Sequence, residues 1–314
     1  MLNRKNTITG RTLKRQKDFK EQLSLLLLLL PGVILLFMFN YVPMGGAVIA
    51  FKDFNPNLGI FDSPWCGFKN FEFFFTSQDA LRLTRNTVLY ALWFRVIGMV
   101  AAIALALALY EVTSRKALKT YQTIMILPHF LSWVLVGYIT YSLLNPVSGL
   151  LNSLLQFFGA EPIAWYSEPK YWPAILTVTQ IWKFVGMDSI IYYAALMGID
   201  ASLFEAARVD GANKWQEIIK IKLPQLAPTI SILLILGLSS IFRGDFGLFY
   251  QIPRDVGVLY PVTDIVDTYL YRGLQQGNMG ITSAVGLFQS VVGFIMVLIT
   301  NAVVRKIDAE NSIF

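Results

Sequence analysis

The most informative segment of the chain reads Asp200-Ala-Ser-Leu-Phe-Glu205-Ala-Ala-Arg-Val-Asp210-Gly-Ala-Asn-Lys-Trp215-Gln-Glu-Ile-Ile-Lys220-Ile-Lys-Leu-Pro224. Asp200 or Ser202 is suited to cap a short helix, and Glu205, three residues after Ser202, would complete a capping box. Gly211 tolerates a positive φ and is expected to end that helix. The segment therefore predicts a short helix, a glycine turn and a second helix.

The second predicted helix is amphipathic. The residues that recur at helical spacing along it are Trp215, Ile218, Ile219 and Lys222. Pro224 lacks the amide hydrogen that a helix interior needs, so we expect it to redirect the chain into the next apolar segment. Both short helices should then lie across one end of a helical bundle.

The chemistry of this segment leaves two interpretations open. The small side chains of Ala206 and Ala207 permit close approach by another protein, and Glu205 offers an ionic contact beside them. That combination suits a docking element. The alternative is a solvated loop whose helices only cover the end of the bundle.

Apolar segments flank this polar stretch and dominate the chain. Of 314 residues, 55% are hydrophobic and 15% charged, whereas ordinary globular chains carry roughly 25% charged residues. A helix needs about 20 apolar residues to cross a bilayer, and six segments approach or exceed that length. They are Leu23–Phe39, Thr87–Leu109, Tyr121–Leu144, Trp172–Ile199, Leu226–Phe242 and Ile281–Val304. The composition excludes soluble, disulfide-stapled and disordered classes and predicts an all-α integral membrane protein with six transmembrane helices.

The extent of the first apolar segment is open. Leu23–Phe39 is short for a span, but the chain stays apolar through Phe51. The helix therefore either extends to about that point or breaks near Pro43. No small-residue cleavage site precedes a polar mature sequence, so we interpret the segment as an uncleaved helix and not as a signal peptide.

The positive charges predict the orientation. Lys and Arg are about three times denser in one set of connecting segments than in the other, and dense positive charge near span ends marks the cytoplasmic side. The dense set is 1–22, 111–120, 199–222 and 305–314; the sparse set is 52–85, 144–171 and 243–280. We therefore predict a basic cytoplasmic arm (1–22), a transmembrane domain (23–304) with a cytoplasmic loop (200–224), and a cytoplasmic tail (305–314).

The cytoplasmic loop resembles a known signature. Glu205-Ala206-Ala207, Gly211, Ile221 and Leu223-Pro224 match in full the spacing of the "EAA" motif of bacterial binding-protein-dependent ABC importer permeases. The loop also precedes the penultimate span, as in that family. The resemblance implies the type I ABC importer permease fold, with the second to sixth spans as its core and the first at its edge, in the bacterial cytoplasmic membrane.

The resemblance also implies roles for residues of the loop. It implies that a partner ATPase is contacted by Glu205, Ala206, Ala207, Asp210 and Gly211. Leu223 and Pro224 would fix where the loop rejoins the fifth span.

The partners and cofactors are predicted from the absence of a nucleotide-binding motif in the sequence and from the family resemblance. The sequence has no Gly-x-x-x-x-Gly-Lys-Ser/Thr phosphate loop, so ATP and Mg²⁺ are expected on two partner ATPase subunits, with no cofactor on this chain. The resemblance implies a second permease chain, which is a copy or, as is usual for sugars, a related chain. It also implies an extracellular solute-binding protein. No nucleic-acid partner is expected, because the basic arm is explained by topology and anionic lipid.

Two further stretches resemble the carbohydrate-uptake group of these permeases. They are Ile126-Leu-Pro-His-Phe-Leu-Ser-Trp133 and Asn145-Pro-Val-Ser-Gly-Leu-Leu-Asn152. This likeness favours an oligosaccharide cargo over a smaller or phosphorylated sugar. An ion-coupled secondary transporter is disfavoured because Asp188 is the only acidic residue inside a predicted span and no halves repeat. No catalytic constellation or metal-ligand spacing occurs, so we predict a transport subunit and not an enzyme, and a structural role for His129.

Charged residues inside the predicted spans are the candidates for a substrate pathway, because buried charge in a membrane is costly. They are Arg95, Lys183 and Asp188. On a helical wheel the fourth span carries one polar and aromatic stripe, with Asp188 on roughly the opposite side. The stripe consists of Thr179, Trp182, Lys183, Gly186 and Tyr193.

Two interpretations of these residues remain open. Either the stripe lines a sugar pathway while Asp188 faces another helix, or Lys183 and Asp188 make structural hydrogen bonds to neighbouring spans. Arg95 would pair with Asp188 or with a partner subunit.

Overall fold

A computed structural model describes Leu23 and residues 25–238 and 240–307. The predicted basic arm (1–22) and residues 308–314 of the predicted tail lie outside the described residues. Within the described part, the named elements are helices, accompanied by one isolated antiparallel bridge between Lys52 and Trp65. The predicted all-α membrane fold is confirmed.

Among the described residues, five helices are long and apolar enough to cross a membrane, and a bent helix pair forms a sixth candidate. We number them spans 1 to 6 in chain order. Spans 1, 2, 4, 5 and 6 cover Leu25–Phe51, Gln78–Tyr110, Pro169–Met197, Lys214–Leu238 and Met279–Ala302. Span 3 is the pair Arg115–Phe130 and Trp133–Leu144, bent by 98°.

The bend in span 3 corrects the prediction of one continuous helix over Tyr121–Leu144. Pro128 has no amide hydrogen to donate, so it weakens the helix just before the break. Leu131 and Ser132 are extended, and the Ser132 hydroxyl accepts from the amide of Leu135 at 3.3 Å, which caps the second helix. The break therefore has a local cause in the sequence.

Span 5 begins earlier than predicted. Its helix runs without interruption from Lys214 through the predicted second helix of the loop, so Pro224 does not redirect the chain. A stretch of π-helix at Ile218–Lys222 ends two residues before this proline. Wider turns of this kind accommodate a residue that cannot donate the regular backbone hydrogen bond of an α-helix.

Span 1 extends instead of breaking. It continues past Pro43 as a π turn over Phe37–Tyr41 and a 3-10 helix over Val42–Phe51. Most of its described side chains are exposed, and its 3-10 part packs on span 6. Span 1 thus lies at the edge of the bundle.

Shorter helices connect the spans. They are Gly59–Asp62, Lys69–Thr76, Leu150–Phe157, Trp165–Ser167, Ala201–Val209, Phe246–Gln251, Gly257–Leu259, Tyr260–Thr263 and Val266–Gln275. Of these, Ala201–Val209 precedes span 5 at one end of the bundle, and Phe246–Gln251 follows span 5 at the other.

The core lies where span 4 packs against spans 2, 3 and 5. Small residues of span 2, Ala102 and Ala106, are fully buried against Leu196 of span 4 and Leu226 of span 5. Small side chains let membrane helices approach closely. Gly186 of span 4 lets span 3 approach equally closely, because a Cβ at this position would lie 1.8 Å from the carbonyl oxygen of Met125.

Candidate functional site

The first arm of the predicted cytoplasmic loop (200–224) is the helix Ala201–Val209. Asp200 caps it, and its Oδ1 accepts from the amide of Ser202 at 2.9 Å. The predicted capping box of Ser202 and Glu205 is wrong, because the cap is taken by Asp200. A capping box forms instead at the start of span 5, between Asn213 and Gln216.

The glycine turn is confirmed. Gly211 has a φ of +79° and follows the end of the helix. Its amide donates to the carbonyl of Arg208 at 3.1 Å, and the amide of Ala212 donates to the carbonyl of Ala207 at 2.9 Å. These two bonds form the Schellman motif, in which the last carbonyls of a helix accept from the chain that follows. The motif requires a residue in the left-handed conformation just after the helix, and that residue is Gly211.

The structure brings five of the predicted coupling residues together at this turn. Glu205, Ala206, Asp210 and Gly211 are exposed, and Ala207 is half-buried. Phe204 is buried beneath them and anchors the helix to the bundle. Leu223 and Pro224 lie apart, within span 5. The exposed group therefore has the small, partly acidic surface that a protein partner requires, and its contact with an ATPase stays a prediction.

An ion cluster missed by the sequence analysis holds the loop in place. Glu111, the residue after span 2, accepts from Lys214 at 2.7 Å and from Lys222 at 2.6 Å. These hydrogen bonds, first from Lys214 and then from Lys222, lower the pKa of the Glu111 carboxyl. Glu111 thus ties the end of span 2 to the start of span 5.

Lys222 is the most deeply buried member of this cluster. Its side chain is 1% exposed, and its ammonium lies 4.6 Å from the ring centre of Tyr110 and 5.8 Å from that of Phe204. A third ion pair, Arg208 with the buried Glu217 at 3.0 Å, joins the two arms of the loop. The sequence signal for the cluster is the single carboxylate directly after span 2, opposite a lysine-rich stretch.

A cavity of ≈ 340 Å³ lies between spans 2, 4 and 5. Tyr90, Phe94 and Phe249 form one aromatic wall, with ring centres between 4.9 and 6.0 Å apart. The polar and charged lining residues include Arg95, Gln180, Asp188, Ser240, Arg243 and Asp245. Aromatic faces beside hydrogen-bonding groups are the lining that a sugar requires.

Two of the predicted pathway residues line this cavity. Arg95 is seated against Gly237, where a Cβ would lie 2.2 Å from the Arg95 Nε. Asp188 is exposed to the cavity from span 4. Among the described residues no direct ion pair joins them. Gln180, Arg243 and Asp245 were not predicted; for Arg243 and Asp245 the signal is their position directly after the apolar part of span 5.

The predicted stripe of span 4 faces elsewhere. Thr179, Lys183 and Gly186 are buried. Gly186 packs on Met125 of span 3, and the Lys183 ammonium donates to the carbonyls of Pro128, His129 and Leu131. Those carbonyls end the first helix of span 3, where a cation is favourable. Trp182 is 44% exposed and Tyr193 is half-buried. None of the five lines the cavity described above, and Lys183 makes the structural bonds of the second interpretation.

Comparison with known proteins agrees with the fold. Residues 95–309 match the family described as "Binding-protein-dependent transport system inner membrane component". Protein LplB of Bacillus subtilis is 36% identical over 303 residues, which cover 96% of this chain and 95% of LplB. The polygalacturonan/rhamnogalacturonan transport system permease protein YteP of the same organism is 38% identical over 293 residues, covering 93% and 90%.

A solved structure is also similar. The chain aligns with a bacterial ABC transporter involved in the import of the acidic polysaccharide alginate, with a TM-score of 0.84 and 36% identity over 94% of this chain and 99% of the other. A second structure of a bacterial alginate ABC transporter, in complex with an alginate pentasaccharide-bound periplasmic protein, aligns with a TM-score of 0.82 and 36% identity over 93% and 97%. With these matches over its spans and loop, the chain belongs to the family of inner-membrane components of binding-protein-dependent transport systems.

Proposed function

We propose that this permease moves oligosaccharides that carry carboxylate groups from an extracellular binding protein into the cytoplasm. The observation that carries the proposal is the cavity between spans 2, 4 and 5, which is lined by Arg95 and Arg243 together with an aromatic wall. Guanidinium binds carboxylate, and aromatic faces bind the apolar faces of sugar rings. The names of two similar proteins, which concern alginate and polygalacturonan, support the same class of cargo.

We propose that energy enters through the cytoplasmic loop. The exposed surface of Glu205, Ala206 and Gly211 is small enough to seat in a cleft of an ATPase subunit, and the cluster around Glu111 would pass its movement to spans 2 and 5. One loop engages one ATPase, so a working importer would need two ATPase subunits and a second permease chain. ATP and Mg²⁺ would bind to the ATPase subunits, and both termini of this chain would be cytoplasmic.

The same two guanidinium groups favour one other cargo class, phosphorylated sugars. Carboxylate and phosphate can each accept two parallel hydrogen bonds from the fork of an arginine guanidinium. The aromatic wall distinguishes them, because a longer oligosaccharide covers more ring area than a small phosphorylated solute. We therefore propose the acidic oligosaccharide first.

Uptake by the complete transporter tests the proposal. We expect proteoliposomes with this chain, its partner permease and its ATPase subunits to import labelled trigalacturonate only with ATP inside and loaded binding protein outside. Arg95→Gln should lower the initial rate about tenfold, the loss of one charged hydrogen-bonded contact. Lys119→Gln removes an exposed cation at the start of span 3 and should leave the rate unchanged.

Two results would refute the proposed cargo. One is import of a phosphorylated sugar such as glucose 6-phosphate at a higher rate than trigalacturonate. The other is no import of any acidic oligosaccharide by a complex that hydrolyses ATP.

A further inference from the structure

A second cleft, of ≈ 220 Å³, lies at the end of the bundle opposite the cytoplasmic loop. One wall comes from the second helix of span 3 and includes Tyr138, which is 64% exposed. The other wall comes from Tyr250, Arg254 and Asp255, which follow span 5. Aromatic side chains thus meet a cation in an open cleft outside the cavity already described.

The cleft and the cavity share one wall, the helix Phe246–Gln251. Phe249 on one face of this helix lines the cavity, while Tyr250 and Gln251 on another line the cleft. The helix packs closely on span 3, since a Cβ at Gly137 would lie 2.8 Å from the carbonyl oxygen of Gln251. A ligand in the cleft would therefore lie one helix away from the proposed pathway.

The backbone of the cleft is strained. Arg254 and Asp255 have φ values of 57° and 52°, in the left-handed region that residues other than glycine rarely adopt. The strain is held by contacts of Asp255, whose Oδ1 accepts from Arg272 at 2.9 Å and from the hydroxyl of Tyr260 at 3.1 Å. Strain maintained in this way is concentrated at ligand-binding sites.

The strained turn leaves the guanidinium of Arg254 exposed and fixed in orientation, so that it can bind an anion. Arg254 is exposed, and its guanidinium carbon lies 4.1 Å from the ring centre of Tyr141. Stacking on an aromatic face keeps the planar group fixed while its N–H edges stay available. In the described part of the chain, no carboxylate forms an ion pair with it. The arginine is therefore oriented without a protein anion to bind.

We propose that this cleft is an outer subsite for the acidic oligosaccharide, in which Arg254 binds a uronate carboxylate and the rings of Tyr138 and Tyr250 face the sugar. The inference rests on the proposed function, and it adds a second binding position to the pathway. Cargo leaving the binding protein would contact this subsite before it reaches the cavity around Arg95.

Binding to the assembled transporter without binding protein tests the subsite. Titration of the complex in nanodiscs with trigalacturonate should give a Kd about tenfold weaker for Arg254→Gln than for the unmodified chain, the effect of one charged contact. Fully methyl-esterified trigalacturonate should bind both equally. Tyr138→Ala should weaken both sugars. Lys69→Gln, which removes an exposed cation from a helix that packs on other spans, is the matched control and should change neither.

Three results would overturn the subsite. They are absence of trigalacturonate binding to the unmodified complex, equal Kd values for Arg254→Gln and the unmodified chain, and an Arg254→Gln effect confined to the affinity of the binding protein for the transporter. The last would identify the cleft as a protein-docking surface. The proposed function has a separate readout, because uptake by the unmodified complex would persist in each case.

Discussion

Replacing Gly211 with proline should abolish ATP-driven uptake while the chain still inserts and assembles with its partners. Proline fixes φ near −65° and removes the amide that donates to the carbonyl of Arg208, whereas Gly211 has a φ of +79°. The turn cannot form, so the exposed surface of Glu205 and Ala206 would point elsewhere. The measurement is uptake and ATP hydrolysis by the reconstituted transporter, and we expect hydrolysis to persist without uptake.

The chain supplies a matched control at Gly159. This glycine has a φ of +76° and ends the helix Leu150–Phe157 with the same pair of bonds, from Gly159 to Gln156 and from Ala160 to Leu155. Gly159→Pro imposes the same local strain on the predicted outer side, so it should leave hydrolysis and uptake coupled. Equal losses in both variants would mean that the effect is general misfolding. Normal uptake by Gly211→Pro would exclude the turn from coupling.

Replacing Glu111 with glutamine should also uncouple hydrolysis from uptake and should lower stability. The change leaves Lys222, which is 1% exposed, without its anion. Breaking a fully buried pair costs about 3–5 kcal/mol, but Glu111 is 35% exposed, so we expect about 1–3 kcal/mol. The checks are the midpoint of thermal unfolding of the purified complex and its uptake per ATP hydrolysed.

Two companion variants separate the buried contact from the exposed one. Lys214→Gln removes only the exposed partner of Glu111 and should have little effect on stability. The double variant Glu111→Gln with Lys222→Met removes both charges of the pair and leaves no buried ammonium without its anion, so it should recover most of the lost stability. If coupling returns with stability, the cluster acts only as a structural support. If coupling stays low, the ion pair transmits the movement of the loop.

Much of the fold could be predicted because membrane helices are recognisable by their length and apolar composition. The apolar segments, the glycine turn at Gly211 and the residues exposed around it all follow from local sequence. The bend of span 3 at Ser132 and the continuation of span 5 through Pro224 could not be predicted with the same rules. Each site has a proline, but a proline alone does not say whether a helix breaks, as after Pro128, or continues, as at Pro224 behind a π turn.

The candidate pathway was harder to predict, because a helical wheel gives relative angles but not the neighbour that each face meets. The wheel correctly separates Lys183 from Asp188 on span 4. Only packing reveals that the Lys183 face meets the carbonyl end of a broken helix and that Asp188 faces the cavity. The pairing of Glu111 with Lys222 likewise spans distant sequence positions and needs the packed bundle.

The most direct test of the account is to find what touches the cytoplasmic loop in the assembled transporter. Cys66 is the only cysteine, so a Cys66→Ser background allows a photoreactive maleimide to be placed by Ala206→Cys, or by Val147→Cys on an outer loop where Val147 is 94% exposed. We predict that irradiation joins the Ala206→Cys variant, but not the Val147→Cys variant, to the ATPase subunit. Failure of the Ala206→Cys variant to form that adduct, in a complex that still transports, would contradict the account.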